Sequence, residues 1–172
     1  SASGQAASPQ RYLPTASLSD RADLDAFRER WYSGHLKALK ELPLCCDTPA
    51  PDQVFRFTWL RTFHHPVVVR LQSEADGSWL VYTKISSGAG GYAPGTLTVD
   101  TKRKPNEAEV NALQQLLQAG SEFWSLPTQE ESKIGVDGSQ WLVEARIGSR
   151  YHFVDRWTPR AGLVYQLGLL FM

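Results

Sequence analysis

Between Gly135 and Pro159, apolar and polar residues alternate with a period of two, and turn formers punctuate the alternation. Trp141, Val143, Ala145 and Ile147 share one parity; Leu142, Glu144 and Arg146 share the other. Beyond Gly148-Ser149, Tyr151, Phe153, Asp155 and Trp157 alternate with His152, Val154 and Arg156. Such a pattern puts one set against a core and the other toward water, so the stretch predicts a β-hairpin. Two constraints on its register disagree. Gly148-Ser149 suits a two-residue loop, which sets the Trp141 parity beside His152. Burial of large apolar side chains, worth roughly 1.5–3 kcal/mol each, favours an odd loop or a bulge that sets it beside Tyr151, Phe153 and Trp157. The second is the larger energy, so a bulged hairpin is expected. Its outer face would carry Glu144, Arg146, His152 and Arg156. Asp155 would then lie among the core aromatics with Trp141 and Trp157, where a carboxylate needs a donor from a Tyr, a Trp or an Arg.

The rest of the chain alternates between the two periods. Leu24, Phe27, Trp31, Ala38, Leu39 and Leu42 fall near 3.6-residue spacing and predict a helix over Asp20–Leu42, capped by Ser19 or Asp20 and ended by Pro43. Strands are expected at Val54–Phe63, Val67–Ser73, Trp79–Ile85 and Thr96–Asp100. Ala75-Asp76-Gly77 predicts a tight turn that aligns Val67, Val69 and Leu71 with Trp79, Val81 and Ile85. Asn106 with Glu109 reads as a capping box opening a second helix, which Gly120 stops. Phe123–Pro127 is an apolar plug, Thr128–Lys133 a polar exposed stretch, and Ala161–Met172 a largely buried final helix, with a final strand as the alternative. This order predicts an α+β fold: a curved antiparallel sheet of about six strands with two or three helices packed on one face. Residues 20–172 form a single domain in this reading.

Composition narrows the class. The 172 residues carry 18 Lys+Arg against 18 Asp+Glu, and this balance argues against a nucleic-acid partner, which would call for a basic excess. No apolar run reaches the roughly 18–20 residues of a membrane span. Ser1–Ser19 is rich in Ser, Ala, Gly, Gln and Pro and is expected to be a disordered leader. It looks like the segment that follows a removed signal peptide or lipid anchor, with an artificial leader as the alternative. Cys45 and Cys46 are adjacent; a vicinal disulfide, two reduced thiols or pairing with another molecule all fit, the reduced thiols best.

Three constellations could carry chemistry. His64-His65 has no metal-ligand spacing around it, and adjacent strand residues point to opposite faces. The Glu144, Arg146, His152, Arg156 face could bind an anion or do acid–base work, but a cross-strand charge ladder is the simpler reading. Ser86–Gly95 is Gly-rich without the Lys-Ser/Thr ending of a phosphate loop, and reads as a flexible loop whose Tyr92 could touch a ligand. No metal site, cofactor motif or nucleophile elbow is present.

The run Phe123-Trp124-x-Leu126-Pro127, Asp137-Gly138-x-x-Trp141-x-x-Glu144, Tyr151-His152 and Arg156-Trp157-x-Pro159 resembles a pattern in uncharacterised bacterial proteins that are often predicted to be exported. It implies an envelope location and no particular reaction, cofactor or catalytic residue. The resulting expectation is a non-catalytic, exported or periplasmic domain that binds a protein or small-molecule ligand. A hydrolase or transferase using His64, His65 or the Glu144–His152 face is the alternative, and a cytoplasmic interaction protein a third reading.

Overall fold

The computed structural model describes residues 10–130 and 137–172. Six antiparallel strands form one open sheet in the order β4-β3-β2-β1-β5-β6. They are β1 (Gln53–Arg61), β2 (Val67–Ser73), β3 (Trp79–Ser86), β4 (Leu97–Arg103), β5 (Ser139–Ile147) and β6 (Arg150–Trp157). Three helices accompany them: α1 (Ala22–Ala38), α2 (Glu107–Leu117) and α3 (Gly162–Phe171), with a 3-10 turn at Glu122–Ser125. This is the α+β architecture the periodicity predicts. Residues 1–9 of the expected leader and residues 131–133 of the polar stretch after the plug lie outside the described residues.

Both sheet faces are covered, so the helices are not all on one side. Phe55 and Phe57 of β1, Leu71, Val81, Trp141 and Val143 point to one face and pack with Val110, Leu113, Leu117, Phe123, Leu167 and Phe171 of α2, the 3-10 turn and α3. The capping box is formed as expected, with Asn106 accepting from the Glu109 amide and Glu109 from the Asn106 amide. The opposite parity of the same strands, Leu60, Val68, Leu142 and Phe153, meets α1 and the segment before it. The β2–β3 turn also follows its sequence: Gly77 is left-handed, and Val69, Leu71 and Ser73 face Thr83, Val81 and Trp79.

α1 buries a different stripe from the one its apolar spacing suggests. Asp25, Glu29, Tyr32, His35 and Leu36 face inward, while Phe27 is 59% exposed and Leu42 65%. The inward acids are satisfied by the preceding chain. Asp25 accepts from the Ala16 and Leu18 amides at 3.1 and 2.8 Å, and Glu29 accepts from the Tyr12 amide at 3.2 Å. Tyr12, Leu13 and Leu18 are buried. Residues 10–19 are therefore a fitted strap and no part of a disordered leader: three well-placed apolar side chains and two carboxylates outweigh the low average hydrophobicity.

The helix ends before Pro43. The Glu41 amide donates to Leu36 O and the Lys40 amide to Lys37 O, with Lys40 left-handed, which is the double hydrogen bond of a Schellman stop. That stop turns Glu41 down onto the sheet. Beyond it, Cys45 and Cys46 are joined by a vicinal disulfide in a loop that Arg146 clasps, donating to the Leu44 and Thr48 carbonyls.

Candidate functional site

The β5–β6 hairpin closes with a two-residue loop. Ile147 faces Arg150, Ala145 faces His152, Glu144 faces Phe153 and Leu142 faces Asp155. The expected bulge is absent because the sheet has two cores: Phe153 and Tyr151 need no place beside Trp141 when α1 buries them on the other face. The turn chemistry of Gly148-Ser149 is then free to set the register, with Gly148 at φ 59°.

This register dissolves the expected charge ladder. Glu144 and Arg146 lie on the α1 face; His152 and Arg156 lie on the α2/α3 face. Glu144 is fully buried and chelates Arg56. Arg146 serves the cysteine loop. His152 takes the Leu126 carbonyl at 2.9 Å and packs against Phe123 and Trp124, and burial holds its pKa below the ordinary imidazole range. Arg156 donates to the Pro127 and Asp155 carbonyls and pairs with Glu130. None of the four is left free to meet a ligand together with the others.

Asp155 lies on the α1 face, on the opposite side of the sheet from Trp141 and not beside it as the bulged register would have it. Its Oδ1 accepts from the Tyr32 hydroxyl at 2.6 Å and from Gln140 Nε2 at 2.8 Å. Burial raises its pKa, and those two hydrogen bonds oppose the rise without cancelling it. Asp155 borders a recess of about 760 Å³ at the β6 edge, together with Arg28, Gln140, Arg156, Trp157 and the start of α3. Two of its basic groups make internal contacts, Arg28 with the Leu18 carbonyl and Arg156 with those named above, while Arg160 also lines it and is exposed. Trp141 is buried against α3, its indole N–H donating to Ser139 Oγ.

A second cleft, of about 490 Å³, lies where the β1–β2 connection meets the Ser86–Gly95 loop. Arg61, Phe63, His64, His65, Tyr92 and the loop backbone line it. The loop is fastened down. Gly90 N donates to His64 O, Gly91 N to Thr62 O and Tyr92 N to Ala89 O, while Gly90 O accepts from the Trp31 indole at 3.1 Å. A Cβ on Gly90 would come within 2.5 Å of the Arg61 carbonyl oxygen, so this close approach requires glycine. The loop amides are turned inward, which leaves no phosphate cradle. His65 Nδ1 meets Gly88 O of the glycine-rich loop at 2.8 Å.

What this cleft presents is aromatic. Phe63 and Tyr92 are each 62% exposed, with ring centroids 5.9 Å apart. The Arg61 guanidinium lies 4.2 Å from the Trp59 ring centroid. No carboxylate lines the cleft among the described residues. Tyr92, His64 and His65 are thus brought together as neighbours, apart from Glu144, Arg146, His152 and Arg156. Phe63 and Arg61 complete the lining; the expected strand Val54–Phe63 has Phe63 as its last residue, whereas β1 ends at Arg61. Thr62 and Phe63 already belong to the turn that leads to His64-His65-Pro66, which leaves Phe63 exposed.

Comparison of the chain with protein-family models and with curated proteins finds no match. Among the described residues no group of three His, Cys, Asp or Glu side chains could hold a metal ion, and no helix is long and apolar enough to cross a membrane.

Proposed function

We propose that this is a non-catalytic binding domain of the cell envelope whose ligand seats on the Phe63–Tyr92 cleft. One observation carries the reading: two large aromatic side chains, both mostly exposed, are held close together where the Tyr92 loop is tied to Thr62 and His64 by two backbone hydrogen bonds, to Trp31 of α1 by a third, and to the Arg61 backbone by a close glycine approach. Exposed aromatics on a rigid platform cost solvation in the free protein and recover it on contact with a ligand. The His residues of the cleft lack a carboxylate partner among the described residues, which favours binding over hydrolysis or group transfer at this place. The envelope location rests on the export-associated pattern at Phe123–Pro159.

A fragment screen by amide-resonance perturbation tests the cleft. Binders should cluster on residues 61–65 and 87–93, and the Phe63→Ser/Tyr92→Ser pair should lose them while keeping the wild-type melting temperature. Binders confined to the Asp155 recess, or retained by the double variant, would overturn it. Fractionation of cells expressing the full reading frame tests the location: recovery in the cytoplasm would remove the envelope half of the proposal.

A further inference from the structure

We propose that the Cys45–Cys46 disulfide is a reversible thiol-exchange site, at which a small monothiol forms a mixed disulfide with Cys46. The bond joins neighbours in sequence. A cross-link stabilises a fold mainly by restricting the unfolded chain, and the effect grows with the loop it closes. Adjacent residues close the shortest loop there is, so the bond contributes little as a staple. Its surroundings are held by other means. Arg146 donates to the Leu44 and Thr48 carbonyls on either side of the pair. Thr48 Oγ1 donates to the Cys45 carbonyl at 2.7 Å, and the Gly148 amide to the Asp52 carbonyl at 2.8 Å.

The two cysteines are not equivalent. Cys45 is 2% exposed, whereas Cys46 lies on the surface. Access decides which sulfur an incoming thiolate attacks, and it selects Cys46. Cys46 and Asp47 also follow one another in the left-handed region, at φ 68° and 62°. That conformation is uncommon for residues other than glycine and clusters at switch and ligand-binding regions. The exchange balances. The monothiol gives its proton to water and its sulfur bonds to Cys46 Sγ. The Cys45–Cys46 bond breaks, and its electron pair leaves on Cys45 Sγ, which takes up a proton. In the return step the Cys45 thiolate attacks Cys46 Sγ and expels the monothiol. The clasp that fixes Leu44 and Thr48 keeps the two cysteines together for this closure.

Glutathione is the probe. Millimolar reduced glutathione should open the bond in the wild-type chain purified without reductant, and acid-quenched mass mapping should place the adduct on Cys46. Amide resonances of residues 44–52 and 146–148 should shift, while the rest of the spectrum and the melting temperature stay as they were. Cys45→Ser removes the return path and should gain glutathione from its oxidised form at least tenfold faster than Cys46→Ser does. If either variant fails to fold, the position of the wild-type adduct decides. Two free thiols in the purified chain, a bond that survives millimolar glutathione, or modification of Cys45 as fast as of Cys46 would overturn the proposal. Loss of the folded spectrum on opening would also overturn it, by showing that the bond is a staple.

Discussion

Arg56 and Glu144 sit opposite each other across the β1–β5 ladder and share two hydrogen bonds, 2.6 Å from Nε and 2.8 Å from Nη2, with neither side chain exposed to water. The arrangement is bidentate and sealed between α1 and the sheet. Tyr151 donates to the same carboxylate at 2.8 Å, and the remaining guanidinium nitrogen donates to Glu41 and to the Leu42 carbonyl. Burial disfavours the Arg56 cation, yet Glu144 and Glu41 more than compensate, so its pKa is raised. Removing one member strands the other. Glu144→Leu or Arg56→Leu should each cost about 3–5 kcal/mol in urea unfolding, whereas the double replacement by apolar residues should cost less than the two single losses together. A double-mutant cycle with additive losses would show that the pair is uncoupled.

Glu41 is the second carboxylate of that network and the one with the most cations. Arg56, Arg70 and Lys84 approach it at 3.1, 2.9 and 3.0 Å. Burial pushes its pKa up, and the three cations together push it further down, leaving it below the ordinary Glu range. A depressed carboxylate pKa means that the unfolded chain takes up the proton first. The stabilisation is therefore present above about pH 4.5 and is lost as the pH falls below it. Glu41→Gln should destabilise by about 3 kcal/mol at pH 7. The gap to the wild type should narrow below pH 4.5, because the wild type loses there what the variant already lacks. Urea midpoints between pH 3.5 and 7 check it; a gap that stays constant would mean that Glu41 does not titrate with folding.

Most of the fold was legible because the strands are short apolar-rich runs bounded by turns that have their own residue chemistry. Val67–Ser73, its Gly77 turn and the Asn106 cap fell where local rules placed them. What could not be read was which parity counts as buried. Arg56 follows Phe55 and precedes Phe57, and an isolated Arg at the minor parity of a strand reads as solvent-facing. Here both parities are buried, because α1 and residues 10–19 cover the second face. The same oversight misjudged the hairpin: with one core assumed, Tyr151 and Phe153 had to join Trp141, and the bulge followed. The Phe63–Tyr92 cleft was half legible. Tyr92 stood out as an aromatic on a glycine-rich loop, but its partner Phe63 and the cation Arg61 come from the other end of β1, and only tertiary contact joins them.

Gly168 and Trp141 meet where α3 crosses β5. A Cβ at Gly168 would overlap the six-membered ring of Trp141, while Tyr165 stacks on that indole from the same helix at 6.2 Å. Gly168→Ala removes a mid-helix glycine, which in an exposed helix would add about 1 kcal/mol of stability. Here overpacking opposes it and wins, because a buried indole between Phe57, Trp59 and α3 has nowhere to retreat. A net loss of about 1–3 kcal/mol is expected by thermal melting. The second substitution Trp141→Phe, introduced on the alanine background, should restore part of that loss. A Gly168→Ala variant as stable as the wild type would show that the α3 docking is loose.

His35 is the buried base that remains. It is 1% exposed, sits edge-on to Trp31 at 5.8 Å, and neither ring nitrogen has a hydrogen-bond partner of good geometry. Burial lowers its pKa to about 4, only weakly opposed by the nearby Gly90 carbonyl. The unfolded chain binds this proton near pH 6.5 and the folded chain does not until about pH 4, so folding loses stability as the pH falls through that interval and is unaffected above it. At about 1.4 kcal/mol per pH unit, the loss by pH 4 is on the order of 3 kcal/mol. His35→Leu keeps an apolar group in the site and removes the titration. Its stability relative to the wild type should therefore rise steadily from pH 6.5 to pH 4 and stay level from pH 7 to pH 8. Urea unfolding at half-unit pH steps provides the comparison, and parallel curves for the two proteins would mean that the imidazole is hydrated and titrates alike in both states.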